Sequence, residues 1–476
     1  MNLSVQSLEV ASARRIRAQQ GPVRAGVIGC GDFGAGILAQ AASAPLLEIT
    51  AAADLSLDSA RNAYRRAGLP DEESALCESR QAALQAIEAG KRVITADPLL
   101  LMDLPLEVIV EATGIPEAGA LHAEAAIRHG RHVAMVNKEA DVVIGPILKR
   151  LADAAGVVYT AVDGDQHGLL IGLVAWARRL GLEILCGGKS RDMDIDRDRL
   201  AATLQLTAEE ARIFDPLPWG EQAKAGVGIE RYLEARRERL GGRGRIGNWD
   251  LVELVIAANA TGLVPDLPSG VHCPAVYAGE IPHVLCPTVM GGILRTRGVF
   301  DAVTCLRRPH ETGLGGGVFL VVATANDAAR EALNGGGVCH NGDGTATLIT
   351  HPYHLLGIEA INSILAAALL GVPTGAIDYQ PRYDVFLRTT RDLEAGTIFE
   401  GDHSPDIEAF IGPAAPLADD RPLPSHLATG NRLVRPVAGG TVITREMVAA
   451  PADSALWALR ARQDAYFFSR PANGQC

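Results

Sequence analysis

The chain has 476 residues, which is long for a single hydrophobic core, so we expect two or three domains. Hydrophobic residues make up 48% of it and charged residues 21%, as in ordinary soluble globular proteins. The net charge of −12 argues against a general affinity for nucleic acid or for an anionic membrane surface.

The N-terminal region and the cysteines bear on location. Residues 1–22 mix Glu, Arg and Gln without the continuous apolar segment of a signal peptide, and the chain has no apolar run long enough to cross a membrane. The eight cysteines form no CxxC pair, which argues against a zinc ribbon or a disulfide framework. We therefore expect a cytoplasmic protein with reduced thiols.

Residues 23–54 have the order of a dinucleotide-binding unit. An apolar run leads into Gly-Cys-Gly-Asp-Phe-Gly at 29–34, a helical pattern follows, and a second apolar run ends at Asp54. The glycines would allow a tight turn, a close pyrophosphate and close helix packing, and the helix N-terminus would attract phosphates. A purely structural turn is the alternative. The predicted cofactor contacts here are Gly29, Gly31, Asp32, Phe33, Gly34 and Asp54.

Asp54 also bears on the choice of cofactor. It lies 20 residues after Gly34, where a carboxylate would accept hydrogen bonds from the ribose hydroxyls. Its charge would repel a 2′-phosphate, which costs on the order of 100-fold in affinity. The sequence therefore favours NAD over NADP, although Arg61 and Arg65 on the next predicted helix would weaken that preference.

The segment up to residue 168 alternates predicted helices with predicted strands. The pattern gives helices at 57–68, 73–90, 117–129 and 146–155, and strands at 93–95, 106–114, 132–136 and 157–161. This alternation predicts a parallel sheet of Rossmann type, in which ligands gather at the carboxyl ends of the strands. We therefore expect further cofactor contacts at Thr113, Gly114, Asn137 and Lys138.

The pattern changes in the middle of the chain. We predict a helix at 169–180, a strand at 182–187, a turn at Gly187-Gly188-Lys189 and helices at 229–239 and 250–263. Strands at 299–305, 317–324 and 345–349 predict an antiparallel sheet in an α+β catalytic or oligomerisation domain.

His351-Pro352-Tyr353-His354 is predicted to open a long apolar helix, 355–370, which would place both histidines on one helix face. Beyond residue 375, strand-like runs at 385–389, 433–434 and 441–443 and a proline-rich loop at 400–425 predict a small β-rich domain. The predicted domains are 1–165 completed by helix 351–372, then 166–350, then 376–476.

Several of these stretches resemble known families. GVIGCGDFG, EATGIPEAG, AAIRHGRHVAMVNKEADVVIGP, GGK at 187–189, ANATGLVPD, GGIL and HPYHL resemble homoserine dehydrogenases and, more closely, 1-deoxy-D-xylulose 5-phosphate reductoisomerase-like proteins. The tail, with VFLRTTRDLEAGTIFEG and HLATGNRLVRPVAGGTVITREMV, is similar to a SAF (antifreeze-like, β-clip) domain. The resemblance implies a nicotinamide-dependent oxidoreductase that forms a homo-oligomer, with its small-molecule substrate between the nucleotide domain and the middle sheet.

Hydride transfer between a carbinol and nicotinamide needs a group that gives or takes a proton. Lys138 and Lys189 match lysines that the dehydrogenases use near substrate, and shielding from water would lower their pKa. In the homoserine dehydrogenases the corresponding helix begins beside the nicotinamide, so the resemblance implies substrate contact for His351 and His354, with a structural helix-cap role as the alternative. Asp163 and Asp165 would bind substrate hydroxyls, orient a lysine or hold a cation, and a solvated turn is the equal alternative. Two acids fall short of a metal ligand set, so we expect no metal site.

Three functions follow from these observations. The first is an NAD(P)-dependent dehydrogenase or reductase of a small hydroxylated acid, aldehyde or sugar derivative. The second is a metal- and NADPH-dependent reductoisomerase of the 1-deoxy-D-xylulose 5-phosphate type. The third is a non-catalytic sensor of a cofactor or carbohydrate, against which Lys138 and Lys189 argue because a sensor needs no proton donor.

Overall fold

The computed structural model describes residues 2–217 and 227–469. It forms two compact units, the first made of Met1–Gly168 with Leu355–Cys476 and the second of Leu169–His354. Among the described helices, none is both long and apolar enough to cross a bilayer.

The first unit is built on seven parallel strands. They are β1 (Val23–Ile28), β2 (Leu47–Ala53), β3 (Ser74–Leu76), β4 (Arg92–Thr95), β5 (Val108–Glu111), β6 (His132–Met135) and β7 (Tyr159–Ala161). Their order is β3-β4-β2-β1-β5-β6-β7, so the direction of winding reverses between β1 and β5. The predicted Rossmann-type parallel sheet is therefore confirmed, and its reversal marks the place where such sheets bind ligands.

Helices connect these strands and cover the sheet. They are α1 (Asn2–Arg17), α2 (Asp32–Ala41), α3 (Leu57–Arg66), α4 (Arg80–Glu88), α5 (Pro116–Arg128), α6 (Lys138–Ala155) and α7 (Gln166–Arg179), the last of which runs on into the second unit. The central strands bury apolar side chains against them because a parallel sheet is covered on both faces. Val27, Val108 and Val110 are all fully buried.

Residues from 355 onward return to this unit. They form α13 (Ala360–Leu370), β15 (Tyr383–Thr389), β16 (Ile407–Pro413), α14 (Ser425–Ala428) and α15 (Ala455–Phe468). β15 and β16 pair antiparallel, and α15 packs against α5 and α6. The segment is held by buried Arg460, whose guanidinium donates to both oxygens of Asp384 at 2.8 and 2.7 Å.

Several predicted elements of the first unit differ in the structure. The predicted helix 73–90 divides into β3 and α4, because Ser79 caps α4 through its contact with the Ala82 N–H. The predicted proline-rich loop contains β16, which pairs with β15. The runs at 433–434 and 441–443 form isolated bridges and no strands.

Helix α6 begins eight residues before the predicted 146–155 and continues through Pro146. Proline has no N–H and normally breaks a helix. Here the Gln463 side chain from α15 bridges the interruption: its Oε1 accepts from the Ile147 N–H at 3.2 Å, and its Nε2 donates to the Val143 carbonyl at 2.9 Å. The amide thereby satisfies backbone groups on both sides of the proline.

The second unit contains a mixed sheet. Its strands are β8 (Glu183–Ser190), β9 (Ile195–Asp196), β10 (Val264–Pro265), β11 (Ala275–Tyr277), β12 (Val299–Arg307), β13 (Val318–Ala323) and β14 (Thr347–His351). The main order is β10-β12-β8-β13-β14, with β9 and β11 also paired to β12. Its remaining helices are α8 (Arg197–Thr203), α9 (Val227–Leu240), α10 (Asn248–Thr261), α11 (Ile281–Val284) and α12 (Asp327–Gly335).

Two predictions for this unit were wrong. The sheet is not wholly antiparallel, because β8, β10 and β12 run parallel to one another. The predicted turn at Gly187-Gly188-Lys189 lies inside β8 instead. A Cβ on Gly188 would lie 2.3 Å from the Asp301 carbonyl oxygen and 2.6 Å from the Phe319 ring, so these glycines allow close packing rather than a change of chain direction.

Candidate functional site

The glycine turn after β1 has the geometry that dinucleotide binding requires. Gly29 has φ +92°, and a Cβ there would lie 2.6 Å from the Ala112 carbonyl oxygen at the end of β5. A Cβ on Gly34 would lie 2.0 Å from the Gly29 carbonyl oxygen, whereas one on Gly31 would meet nothing within 4 Å. The turn therefore packs closely on its inner side, and Gly31, the N-cap of α2, is open to a ligand.

Asp54 is fixed between this turn and the next helix. Its Oδ2 accepts from the Cys30 N–H and its Oδ1 from the Ser56 N–H, both at 2.8 Å. A carboxylate can accept more than two hydrogen bonds, so these contacts position Asp54 and leave it able to accept from a ligand. Burial, with the Asp54 charge as a smaller cause, raises the pKa of the Cys30 thiol to about 12.

The two arginines on α3 are engaged with acids. Arg61 contacts Asp58 at 3.1 Å, and Arg65 forms a bidentate pair with Asp71 at 2.7 and 2.5 Å. They would have to exchange these partners to bind a 2′-phosphate. Their arrangement is consistent with the preference for NAD argued from Asp54.

Asn137 joins the loops that follow β5 and β6. It caps α6 by accepting from the Ala140 N–H at 3.0 Å. Its amide donates to Thr113 Oγ1 at 3.1 Å and to the Ile115 carbonyl at 2.9 Å. Thr113 in turn donates to buried Glu111 at 2.7 Å. This network brings Thr113, Gly114 and Asn137 together, while their contact with a cofactor stays a prediction.

Lys138 and Glu139 open α6 at the same edge of the sheet. Both are half-buried. A Cβ on Gly114 would lie 4.0 Å from Glu139 Oε2, so the carboxylate lies over the loop after β5. Burial raises the pKa of Glu139, and the nearby charges of His426 and Lys138 only partly offset that effect.

Asp163 lies just after β7, and the pKa of its carboxyl is raised. Burial first and the neighbouring Glu359 charge second raise the pKa of the Asp163 carboxyl to about 7, against a smaller opposing hydrogen bond from Thr374. The Asp163 N–H donates to Ser363 Oγ at 2.8 Å, and Glu359 Oε2 accepts from the Leu355 N–H at 3.0 Å. A carboxyl with this pKa can both give and take a proton at neutral pH.

Asp165 belongs to different surroundings from Asp163. Its Oδ1 accepts from the Gln166 N–H at 2.8 Å at the start of α7, and His167 Nδ1 lies 3.6 Å from the same oxygen. Both side chains are buried. Within residues 2–217 and 227–469, no group of three His, Cys, Asp or Glu side chains has a metal-binding arrangement.

Lys189 lies in the second unit between two carboxylates of α10. Its ammonium is 2.7 Å from Asp250 Oδ1 and donates to Glu253 Oε2, and all three side chains are buried. Burial alone would lower the pKa of the ammonium, but Glu253 and Asp250 outweigh burial and raise it. The expectation of a lowered pKa at Lys189 was therefore wrong, and this lysine is a fixed cation here.

His351 and His354 do not share a helix face. His351 ends β14, pairs with Val318 in the strand ladder, and its Nδ1 donates to the Tyr353 carbonyl at 2.7 Å. His354 Nδ1 contacts the Gly316 carbonyl at 2.7 Å. The helix begins only at Ala360, because Gly357 has φ +75° and interrupts the backbone.

Some residues of these clusters were absent from the predicted site. Glu359 lies four residues after HPYHL, inside the predicted helix 355–370, and an acidic residue there could have been predicted to belong to the site. Asp250 and Glu253 have an i, i+3 spacing, which predicts that both carboxylates lie on one face of their helix. Asp402 and His426 come from a predicted loop and a four-residue helix, so no sequence pattern connected them with α6.

Comparison with known proteins covers parts of the chain. Residues 247–360 match the family model described as "Oxidoreductase DRL, catalytic domain". The 1-deoxy-D-xylulose 5-phosphate reductoisomerase of Thermus thermophilus is 36% identical over 109 residues, 23% of this chain and 29% of that protein. The enzyme of the same name from Heliobacterium modesticaldum is 30% identical over 151 residues, 28% of this chain and 37% of that protein.

These matches confirm the reductoisomerase-like resemblance for limited stretches, since the chain spans about a third of the length of the two relatives. Among solved structures, a probable dehydrogenase from Thermotoga maritima aligns over 74% of this chain and 91% of that one, with 11% identity and a TM-score of 0.36. That score is too low to support an argument about either chain. The resemblances to homoserine dehydrogenases and to a SAF domain stay predictions.

Proposed function

We propose that the chain is a nicotinamide-dependent oxidoreductase that transfers hydride to or from a small hydroxylated acid, aldehyde or sugar derivative. The observation that carries the proposal is the open Gly31 turn at the reversal point of a parallel sheet, with Asp54 fixed beside it. The match of residues 247–360 to an oxidoreductase catalytic domain supports the same class of reaction.

The residues that would hold the cofactor are those of the first unit. The N-terminus of α2 would bind the pyrophosphate, and Asp54 would accept from the adenosine ribose. The loop of Thr113 and Gly114 lies next to the glycine turn, at the adjoining strand end. When bound, the nicotinamide supplies or accepts the hydride.

Two groups at the carboxyl edge of the sheet would handle the proton. Asp163 follows β7 and has a pKa of about 7, so the protonated and ionised forms are both populated at neutral pH. Lys138 follows β6 and offers a cationic donor to a substrate oxygen on which negative charge develops. Lys189 has a raised pKa, so we assign it a fixed positive charge and not the role of base.

Binding and turnover measurements test the proposal. Titration with NADH and NADPH, followed by nicotinamide fluorescence, should show tighter binding of NADH, and Asp54→Ala should reduce that difference by at least tenfold. Glu88→Gln, at an exposed carboxylate at the C-terminal end of α4, is the control because it removes the same charge without releasing Arg61 or Arg65 from Asp58 and Asp71. Tight NADPH binding with negligible NADH binding would contradict the role given to Asp54.

The reductoisomerase is the second candidate, and the two partial matches to enzymes of that name favour it. The test is oxidation of NADPH or NADH with 1-deoxy-D-xylulose 5-phosphate, with and without Mg²⁺, next to a panel of alcohols and aldehydes. Turnover of the sugar phosphate that needs Mg²⁺ supports the reductoisomerase, and full metal-free activity argues against it. Cofactor binding without turnover of any compound would favour a sensor and refute both enzymes.

A further inference from the structure

Two side chains from the C-terminal part of the first unit lie close enough to Lys138 and Glu139, at the start of α6, for their charges to interact. Asp402 precedes β16, and His426 lies on α14, which packs against α6. Asp402 Oδ2 is 3.5 Å from His426 Nε2, and the two side chains are only 7% and 2% exposed. On the other ring edge, His426 Nδ1 contacts Thr429 Oγ1 at 3.3 Å, so the imidazole lies between Thr429 and the Asp402 carboxylate.

Charges connect this pair with the start of α6. Burial opposes ionisation of Asp402, but the neighbouring His426, Lys138 and His403 outweigh burial and lower the pKa of the carboxyl. His426 and Lys138 also act on Glu139, which lies over Gly114. Lys138 and His426 therefore act on both Asp402 and Glu139, and His403 acts on Asp402.

We propose that Asp402 and His426 are positioning residues that hold the Lys138 ammonium at the carboxyl edge of the sheet. This proposal rests on the proposed oxidoreductase, in which Lys138 faces the substrate oxygen. Asp402 contributes the compensating charge, and His426 fixes the orientation of that carboxylate. The C-terminal part of the chain then completes the reaction site of the first unit instead of being an independent appendage.

Acetylation of Lys138 tests the electrostatic contact without any substrate. The full-length protein is labelled with acetic anhydride between pH 7 and 10, and Lys138 modification is measured by peptide mass spectrometry. Asp402→Asn removes the compensating carboxylate, so Lys138 should be acetylated roughly threefold or more faster at pH 8, because a lysine without its anionic partner loses its proton at lower pH. Asp402→Glu keeps the charge and should retain the slow rate.

The control is Asp406→Asn, which removes a carboxylate from the same loop. Asp406 pairs with Arg391 at 2.7 Å, so the Lys138 rate should not change. His426→Gln, which keeps a polar side chain, should raise the rate less than Asp402→Asn does. Equal Lys138 rates in wild type, Asp402→Asn and His426→Gln, with unaltered thermal unfolding, would overturn the proposal.

Kinetics separate this proposal from the proposed function. If a substrate is found, Asp402→Asn should lower kcat by roughly tenfold or more while NADH affinity stays within twofold, because the change acts on Lys138 and not on the glycine turn. A substrate turned over normally by Asp402→Asn would refute the positioning role and leave the oxidoreductase intact. An altered Lys138 rate in a protein without turnover would support the contact and refute the oxidoreductase.

Discussion

Asp163→Asn should remove a pH-dependent loss of stability. The Asp163 pKa is about 7 in the folded chain and has an ordinary value of 3.8, so between these values the folded state holds one proton more than the unfolded state. Stability then falls as pH rises, by about 1.4 kcal/mol per pH unit and by up to about 4 kcal/mol over the whole window. Asn resembles the neutral carboxyl in shape and does not ionise.

The assay is urea unfolding of wild type and Asp163→Asn between pH 4 and pH 8, followed by tryptophan fluorescence. The two proteins should be similarly stable at pH 4, and the variant should be more stable at pH 8 by up to about 4 kcal/mol. Glu359→Gln removes the adjacent charge and should give an intermediate pH dependence. Asp58→Asn, at a side chain that is 83% exposed, should give a flat difference. A flat difference for Asp163→Asn as well would refute the reasoning.

Three further changes test other parts of the structure. Gly34→Ala places a Cβ 2.0 Å from the Gly29 carbonyl, so NADH binding measured by calorimetry should weaken at least tenfold. Lys189→Met leaves two buried carboxylates without their cation, so the free energy of unfolding measured in urea should fall by about 3–5 kcal/mol. An unchanged urea midpoint would contradict the buried ion cluster. Gln463→Leu leaves the Ile147 N–H and the Val143 carbonyl without the amide, so the free energy of unfolding should fall by about 2 kcal/mol. Gln380→Leu on the surface should change it little.

The sequence predicted the parallel sheet because its strands carry strong local signals. The strands around Val27 and Val110 are continuous apolar runs between turns, and a glycine or polar residue follows each. β3 was not predicted because it has only three residues and lies half-exposed at the edge of the sheet, next to a helical pattern. β16 was not predicted because prolines surround it in the sequence and its strand partner, β15, is distant in the chain.

The candidate site was predictable where one residue acts close to its own strand. Gly31 and Asp54 belong to such a local pattern, and Asp163 follows its strand directly. The pKa values of the site residues could not be predicted from the sequence, because the raised pKa of Asp163 depends on burial and on Glu359, which is distant in sequence. The same holds for Lys189 on β8, whose pKa depends on two carboxylates of helix α10. Periodicity predicts which face of an element is buried but not which charges meet there.

The bridge that Gln463 makes across α6 has a consequence for biosynthesis. Gln463 and Ile147 are 316 residues apart, and the continuous second unit lies between them in the chain. A ribosome that adds about 5–20 residues per second needs roughly 15–60 s to cover that distance. During this interval the nascent α6 has an unbridged proline, while the second unit can already fold. The first unit, whose glycine turn is synthesised early, is therefore completed only after the second unit. A chaperone that acts on the nascent chain would bind the first unit while it is still incompletely folded.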